Sequence, residues 1–276
     1  MDKALTSQEV VEEAVEEVVE KHAKDRAWGR IFDVYSIHDH DFDSSPYSIT
    51  NKQIKEATKG FSSTVEREVR ILCKQDTRES RPRIFREKGL FILPTKNGVY
   101  SIIKGEGYID IPPITTPATV YLSQLDFHLD TSEVGNSEMQ HLDFAYAASL
   151  IRTFLQDESL VLTIRGRKFT PNFSFLVGAN RINVSSVQTE VDAGYEGRKQ
   201  VVLIEAKATG NKNTIIRQLY YPFRQWQSYT KKKVVTVFFE KFGDAFSLWE
   251  FQFKDPDNYN SITLTRSNSF FIQEKS

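Results

Sequence analysis

The sequence predicts an α/β (α+β) chain of two regions, residues 1–130 and 131–276, and three observations carry that expectation. Residues 50–103 hold three short helical patterns followed by two apolar runs around Asn97-Gly98. The C-terminal half holds a strong helical pattern, a series of apolar β-branched runs, and a second helix among them. Between the two lies 105–136, without periodicity and with Pro112, Pro113, Pro117, Gly135 and Asn136, the composition of strands, loops and a connector.

The N-terminal elements come first. Residues 6–24 are amphipathic: Thr6 and Glu9 have capping-box spacing, and Val11, Val15 and Val19 form one stripe opposite a crowd of glutamates. Packing on its own domain and a dimer contact are both open for that stripe. Residues 36–48 carry His38, Asp39, His40, Asp41 and Asp43, metal-ligand types without an apolar strand to hold them, so a solvated loop is the preferred reading. Thr50 and Gln53 cap a helix over Lys52–Lys59, Val65, Val69 and Leu72 mark a second over Thr64–Lys74, and Pro82 and Gly89 bracket a third. Leu90–Pro94 and Val99–Ile103 then make a hairpin across Asn97-Gly98. Three helices and a hairpin are the order of a winged-helix-like module. Arg78, Arg81, Arg83, Arg86 and Lys88 on the third helix and its approach, with Lys96 at the wing tip, are expected to contact DNA.

In the C-terminal half, Met139–Gln156 forms a helix whose face holds Leu142, Ala145, Leu150 and Phe154. Leu160–Ile164, Phe173–Gly178, Ile182–Asp192, Val201–Ala208, Val234–Glu240 and Phe246–Phe253 are strand-like runs. Thr214–Tyr229 is helical with a kink expected at Pro222. Arg165, Arg167 and Lys168 fall in a turn before the sheet, where they touch phosphates or are simply solvated.

Bulk composition sets the outer limits. The chain has 276 residues, 36 Lys and Arg against 37 Asp and Glu, and a formal net charge of -1, so any nucleic-acid site must come from local charge asymmetry. A single cysteine excludes a disulfide framework and a thiolate zinc site, and suits a reducing, cytoplasmic setting. No apolar run approaches the roughly 20 residues of a membrane span, and the N-terminus has no apolar signal core.

The chemistry concentrates between Glu190 and Lys207. Side chains two apart on a strand share a face, so Glu190 pairs with Asp192 and Glu205 with Lys207. A hairpin turning near Gly197–Gln200 places Asp192 opposite Glu205 and Glu190 opposite Lys207. Three carboxylates and an ammonium then converge, and a divalent cation relieves the repulsion. Oxygen ligands favour Mg²⁺ or Mn²⁺, with the Ala206 carbonyl as a further ligand. A lysine there orients or deprotonates water and stabilises developing negative charge. Gly194 and Gly197 suit a tight turn or a close phosphate approach.

Asp192, twelve residues, then Glu205-Ala206-Lys207 resembles the PD-(D/E)XK nuclease motif. The longer set Val187–Glu196, Ile204–Lys207 and Arg217–Pro222, with Arg67–Arg70 and Phe91–Tyr100 upstream, is similar to a group of type II restriction endonucleases. The resemblance implies a restriction-endonuclease-like core, a mixed central sheet flanked by helices. It also implies metal ligation by Asp192 and Glu205, with Lys207 as the catalytic lysine and Gln218 as a supporting helix residue. Val191 stands where the motif has proline. Gln225, four before Tyr229, competes with Gln218, and Glu138 and Asp143 compete as the helix carboxylate such enzymes often add. The expected function is sequence-specific hydrolysis of double-stranded DNA with Mg²⁺, as a homodimer, beside a cognate DNA methyltransferase. The alternatives are a repair or recombination nuclease of the same fold, and a non-catalytic winged-helix DNA-binding regulator.

Overall fold

The computed structural model describes residues 7–207 and 210–275 and divides into two compact units, residues 1–107 and 108–276. The division falls after Gly107 rather than near 130. Residues 108–122 supply two strands that pair only within the second unit, so they cannot belong to the first.

In the first unit, α1 (Ser7–Val34) runs ten residues beyond the expected end at 24. Thr6 and the side chains of 7–19, including the valine stripe, lie outside the described residues. From Ala27 onward the helix buries Trp28, Ile31 and Phe32 in a core with Phe85, Leu90 and Ile102. A short strand β1 (Tyr47–Thr50), not foreseen, precedes α2 (Asn51–Thr58). The Thr50–Gln53 capping box forms as expected. The second helix breaks at Glu68 into α3 (Thr64–Arg67) and α4 (Val69–Leu72), because Glu68 leaves helical backbone and caps α4. The third is short, α5 (Arg83–Glu87). The hairpin β2 (Leu90–Lys96) and β3 (Val99–Lys104) turns at Asn97-Gly98, with Gly98 at φ 74°. Strand β1 adds to β3, giving a sheet of order β1-β3-β2.

The second unit contains β4 (Tyr108–Asp110), β5 (Thr119–Leu122), α6 (Glu138–Ala147), α7 (Leu150–Leu155), β6 (Val161–Phe169), β7 (Phe173–Val177) and β8 (Asn180–Val184). It continues with β9 (Gln188–Glu196), β10 (Gln200–Lys207), β11 (Asn213–Ile215), α8 (Ile216–Gln227), β12 (Lys233–Phe242), β13 (Ala245–Phe253) and β14 (Ile262–Gln273). Seven strands form one mixed sheet of order β5-β14-β13-β12-β10-β9-β6, with β10–β12 and β14–β5 parallel. The single helix expected over Met139–Gln156 is two, because Ser149 adopts φ 66° between them.

Strand β10 is central, and both its faces are covered. Val202, Ile204 and Ala206 pack with Leu142, Ala145 and Phe154 of α6 and α7. Val201 and Leu203 pack on the other side with Ile164, Val191 and Trp226 of α8. A strand buried on both faces needs a continuous apolar run, which explains Val201–Ile204.

Gly194 and Gly197 are not positive-φ turn residues. They serve close packing: a Cβ on Gly194 would meet Ile164 Cβ at 2.7 Å, and one on Gly197 would meet Asp157 Oδ2 at 2.5 Å. Ile164 is a rigid, buried β-branched side chain. Gly194→Ala is therefore expected to destabilise the fold by about 1–3 kcal/mol, measured by denaturant unfolding; an unchanged midpoint would refute the packing argument.

Candidate active site

Strands β9 and β10 pair antiparallel from Val201↔Glu196 to Ile204↔Ala193. One further step sets Glu205 opposite Asp192, the register expected from the sequence. The ladder stops there. The Asp192 carboxylate accepts the Ala206 N–H at 2.8 Å, so a side chain replaces the next backbone partner. Beyond this point, among the described residues, β9 continues against β6, with Gly166↔Val191 and Arg167↔Glu190.

The strands fork because β9 is irregular. Val191 packs with Val201 and Leu203, whereas Ala193 packs with Val202 and Ile204, on the opposite face. Residues two apart normally share a face. The β6–β9 register shifts on either side of Ile164, and this absorbs the break. Asp192 stands at the fork.

This geometry corrects the expected convergence of three carboxylates. Glu190 lies opposite Arg167 on β6, and Arg167 Nε donates to its Oε2 at 3.2 Å on an exposed surface. Its carboxylate is held by Arg167, although it lines the same crevice as Glu205. Among the described residues no group of three His, Cys, Asp or Glu is gathered to hold a metal ion.

Glu205 is buried and anchors a polar cluster. Lys207 Nζ donates to its Oε1 at 2.6 Å, and Gln218 Nε2 donates to the same oxygen at 2.7 Å. Thr214 Oγ1 in turn donates to Gln218 Oε1 at 2.9 Å, which fixes the amide. A small crevice opens here, lined by Glu190, Val191, Leu203, Glu205, Gln218 and Pro222. Pro222 sits inside α8 and has no N–H to offer the Gln218 carbonyl four residues earlier.

Burial pushes the Asp192 carboxyl above its usual range. The Ala206 N–H and Lys207 oppose this, while Glu138 and Glu190 reinforce it. Burial acts to lower Lys207, but Glu205, by charge and hydrogen bond, together with Glu138 and Asp192, more than offsets it, and the net pKa is pushed up to about 12. A buried carboxylate further penalised by neighbouring carboxylates fits a hard divalent cation by donor chemistry.

The paired candidates separate by position. Gln218 reaches Glu205, whereas Gln225 accepts from Thr189 Oγ1 at 2.6 Å and donates to the Phe169 carbonyl, tying α8 to β6 and β9. Glu138 opens α6 and acts electrostatically on both Asp192 and Lys207. Asp143 is instead ion-paired to Arg165.

The expected DNA-contact residues divide. Arg81 donates to the carbonyls of Arg78 and Leu90, and Arg78 pairs with Glu106, so both brace their own unit. Arg83, Arg86, Lys88 and Lys96 are exposed, with Arg83 paired to Glu87. Arg165, Arg167 and Lys168 lie within β6, an end strand of the sheet, rather than in a turn. The 36–48 loop is tied down locally: His38 bonds Asp33 of α1, His40 bonds the Ser45 carbonyl, and Asp43 pairs with Lys104 of β3.

Sequence reasoning did not single out Glu240. It is paired with Lys207 in the parallel β10–β12 register, is buried, and accepts the Asn211 N–H at 2.9 Å. Burial raises its carboxyl. The signal was present, since Glu240 closes the apolar run Val234–Phe239 as Glu205 closes Val201–Ile204.

A family model described as Domain of unknown function (DUF6997) matches residues 103–271, and one described as Domain of unknown function (DUF6996) matches residues 25–102. The junction between the two matches falls close to the structural division after Gly107. No curated protein and no solved structure matches the chain.

Proposed function

We propose that this chain, which belongs to the family described as Domain of unknown function (DUF6997), is a metal-dependent endonuclease of the PD-(D/E)XK type that cuts duplex DNA at specific sequences. The observation that carries the reading is the fork at Asp192, with Glu205, Lys207 and Gln218 bonded beside it. The order α6–β6–β9–β10–α8–β12, with β12 parallel to β10, supports the same core.

Asp192, Glu205 and the Ala206 carbonyl are the oxygen donors that would hold Mg²⁺ or Mn²⁺. Such an ion supplies an activated water and charge stabilisation at the scissile phosphate. With its pKa pushed up to about 12, Lys207 remains an ammonium at neutral pH. It therefore orients water and stabilises negative charge, and does not accept the proton. Gln218 holds the Glu205 carboxylate in place, and Glu138 adds negative charge from α6. Gln218→Leu removes a donor to a buried carboxylate and is expected to lower kcat about 10-fold or more; unchanged turnover would remove Gln218 from the site.

In the first unit, a strand between α1 and α2 and the β1-β3-β2 sheet support a winged-helix-like DNA module. Exposed Arg83, Arg86, Lys88 and Lys96 are its phosphate contacts. The setting is cytoplasmic, within a restriction–modification pair with a DNA methyltransferase, and the active form is a homodimer. Among the described residues no helix is long and apolar enough to cross a membrane.

The test is supercoiled plasmid with Mg²⁺, using wild type and Lys207→Ala. Discrete fragments that disappear in the variant support restriction. Smearing or digestion from ends identifies a repair nuclease instead. Binding without cleavage identifies a regulator and overturns the proposal.

A further inference from the structure

The seven-stranded sheet ends at β5, and among the described residues no strand pairs with its outer edge. An open edge is a template for another strand, and proteins usually guard it with charge, proline or a bulge. The four residues of β5, Thr119-Val120-Tyr121-Leu122, carry none of these.

The side chains divide cleanly between the two faces. Tyr121 points inward: its hydroxyl donates to the Ala148 carbonyl at 3.1 Å, and its ring packs against the α6–α7 core. Val120 and Leu122 therefore face the other side, where they are 64% and 54% exposed. They are not isolated. The pairing registers Phe242↔Ala245, Ala245↔Phe271 and Phe271↔Val120 set one straight row across four strands. Phe242 is 68% and Phe271 43% exposed. The result is an apolar strip running up to an unguarded edge.

We infer that this edge and its apolar strip form the surface on which a second copy of the chain docks, by antiparallel β5–β5 pairing across a two-fold axis at Tyr121. The strand's own pattern argues for a copy rather than an unrelated partner. An isologous contact must be self-complementary, and β5 is so about Tyr121, with an apolar residue at equal distance on either side. In that pairing Val120 lies opposite Leu122 of the partner subunit, and Leu122 opposite Val120 of the partner subunit. The apolar strip then crosses the junction without interruption, and no like charges meet along the paired strands.

The oligomeric state is measured without DNA or metal, so the result is independent of the nuclease reading. Sedimentation velocity at micromolar concentration is expected to give twice the chain mass for wild type. Val120→Lys and Leu122→Lys change only exposed positions and are expected to weaken the dimer at least 10-fold, with circular dichroism confirming the fold. A second variant guards against a misfolded result. Val120→Cys with Leu122→Cys is expected to form a covalent dimer on oxidation, because directly opposed strand residues lie about 4.5–5.5 Å apart at Cα, within disulfide reach. A monomeric wild type, a dimer indifferent to both lysine substitutions, or no covalent dimer from the cysteine variant would each overturn the inference.

Discussion

Lys207→Ala is expected to abolish cleavage, lowering kcat by about 100-fold or more, and to destabilise the protein as well. The two effects share one cause. Lys207 Nζ lies 2.6 Å from the Glu205 carboxylate, whose side chain is 9% exposed. Removing the ammonium takes the charged donor away from a buried carboxylate that Gln218 still contacts. Breaking a buried pair from one side costs on the order of 3 kcal/mol. The lysine's folded pKa, about 12, lies above its ordinary 10.5. Its contribution is therefore fully present below pH 10.5 and is lost as pH rises through 12. The wild type–variant stability gap should be flat from neutral pH to about 10 and should close above that. Urea unfolding of both proteins across this range measures the gap; a gap that widens with alkaline pH would contradict the pairing.

Asp192→Asn should also eliminate cleavage, yet it should make the metal-free fold more stable at neutral pH. The carboxyl is held above its ordinary 3.8 chiefly by burial, with Glu138 and Glu190 adding to the effect. A group with a raised folded pKa favours folding below its unfolded value, and that advantage is lost as pH climbs through the folded value. At neutral pH the native state carries a charge that burial penalises. Asparagine removes the charge and keeps an oxygen for the Ala206 N–H. In chelator, Tm is expected to rise by a few degrees in the variant at neutral pH, with the difference shrinking on acidification toward 3.8. Adding Mg²⁺ should raise the wild-type Tm by mass action, and the variant's by much less. A variant less stable than wild type in chelator would contradict this account of Asp192.

How much of this was legible in the sequence depends on the range of the interaction involved. The β10 strand and the Glu205–Lys207 pair were legible because an apolar run ending in charge is a local signal. The Asp192–Glu205 register was legible because the hairpin loop is short. The pairing of Glu190 with Arg167 was not legible because face assignment assumes unbroken alternation, and β9 breaks it where β6 presses against Gly194. Gln218 and Gln225 could not be separated because both lie on α8, and only the packing decides which strand each meets. The break at Ser149 needs a left-handed backbone that no glycine announced. Strand β14 was missed because Ser, Thr, Asn and Arg interrupt its apolar pattern, and its place comes from pairing with β13 and β5.

The central claim is that the fork at Asp192 is a phosphodiester-cleaving site. The most direct measurement is gel analysis of supercoiled plasmid incubated with purified protein and Mg²⁺, alongside Asp192→Asn and Lys207→Ala. The account predicts discrete linear fragments from wild type, and intact plasmid from both variants and from wild type in chelator. Intact plasmid with wild type in both Mg²⁺ and Mn²⁺, or cutting that survives either substitution, would contradict it.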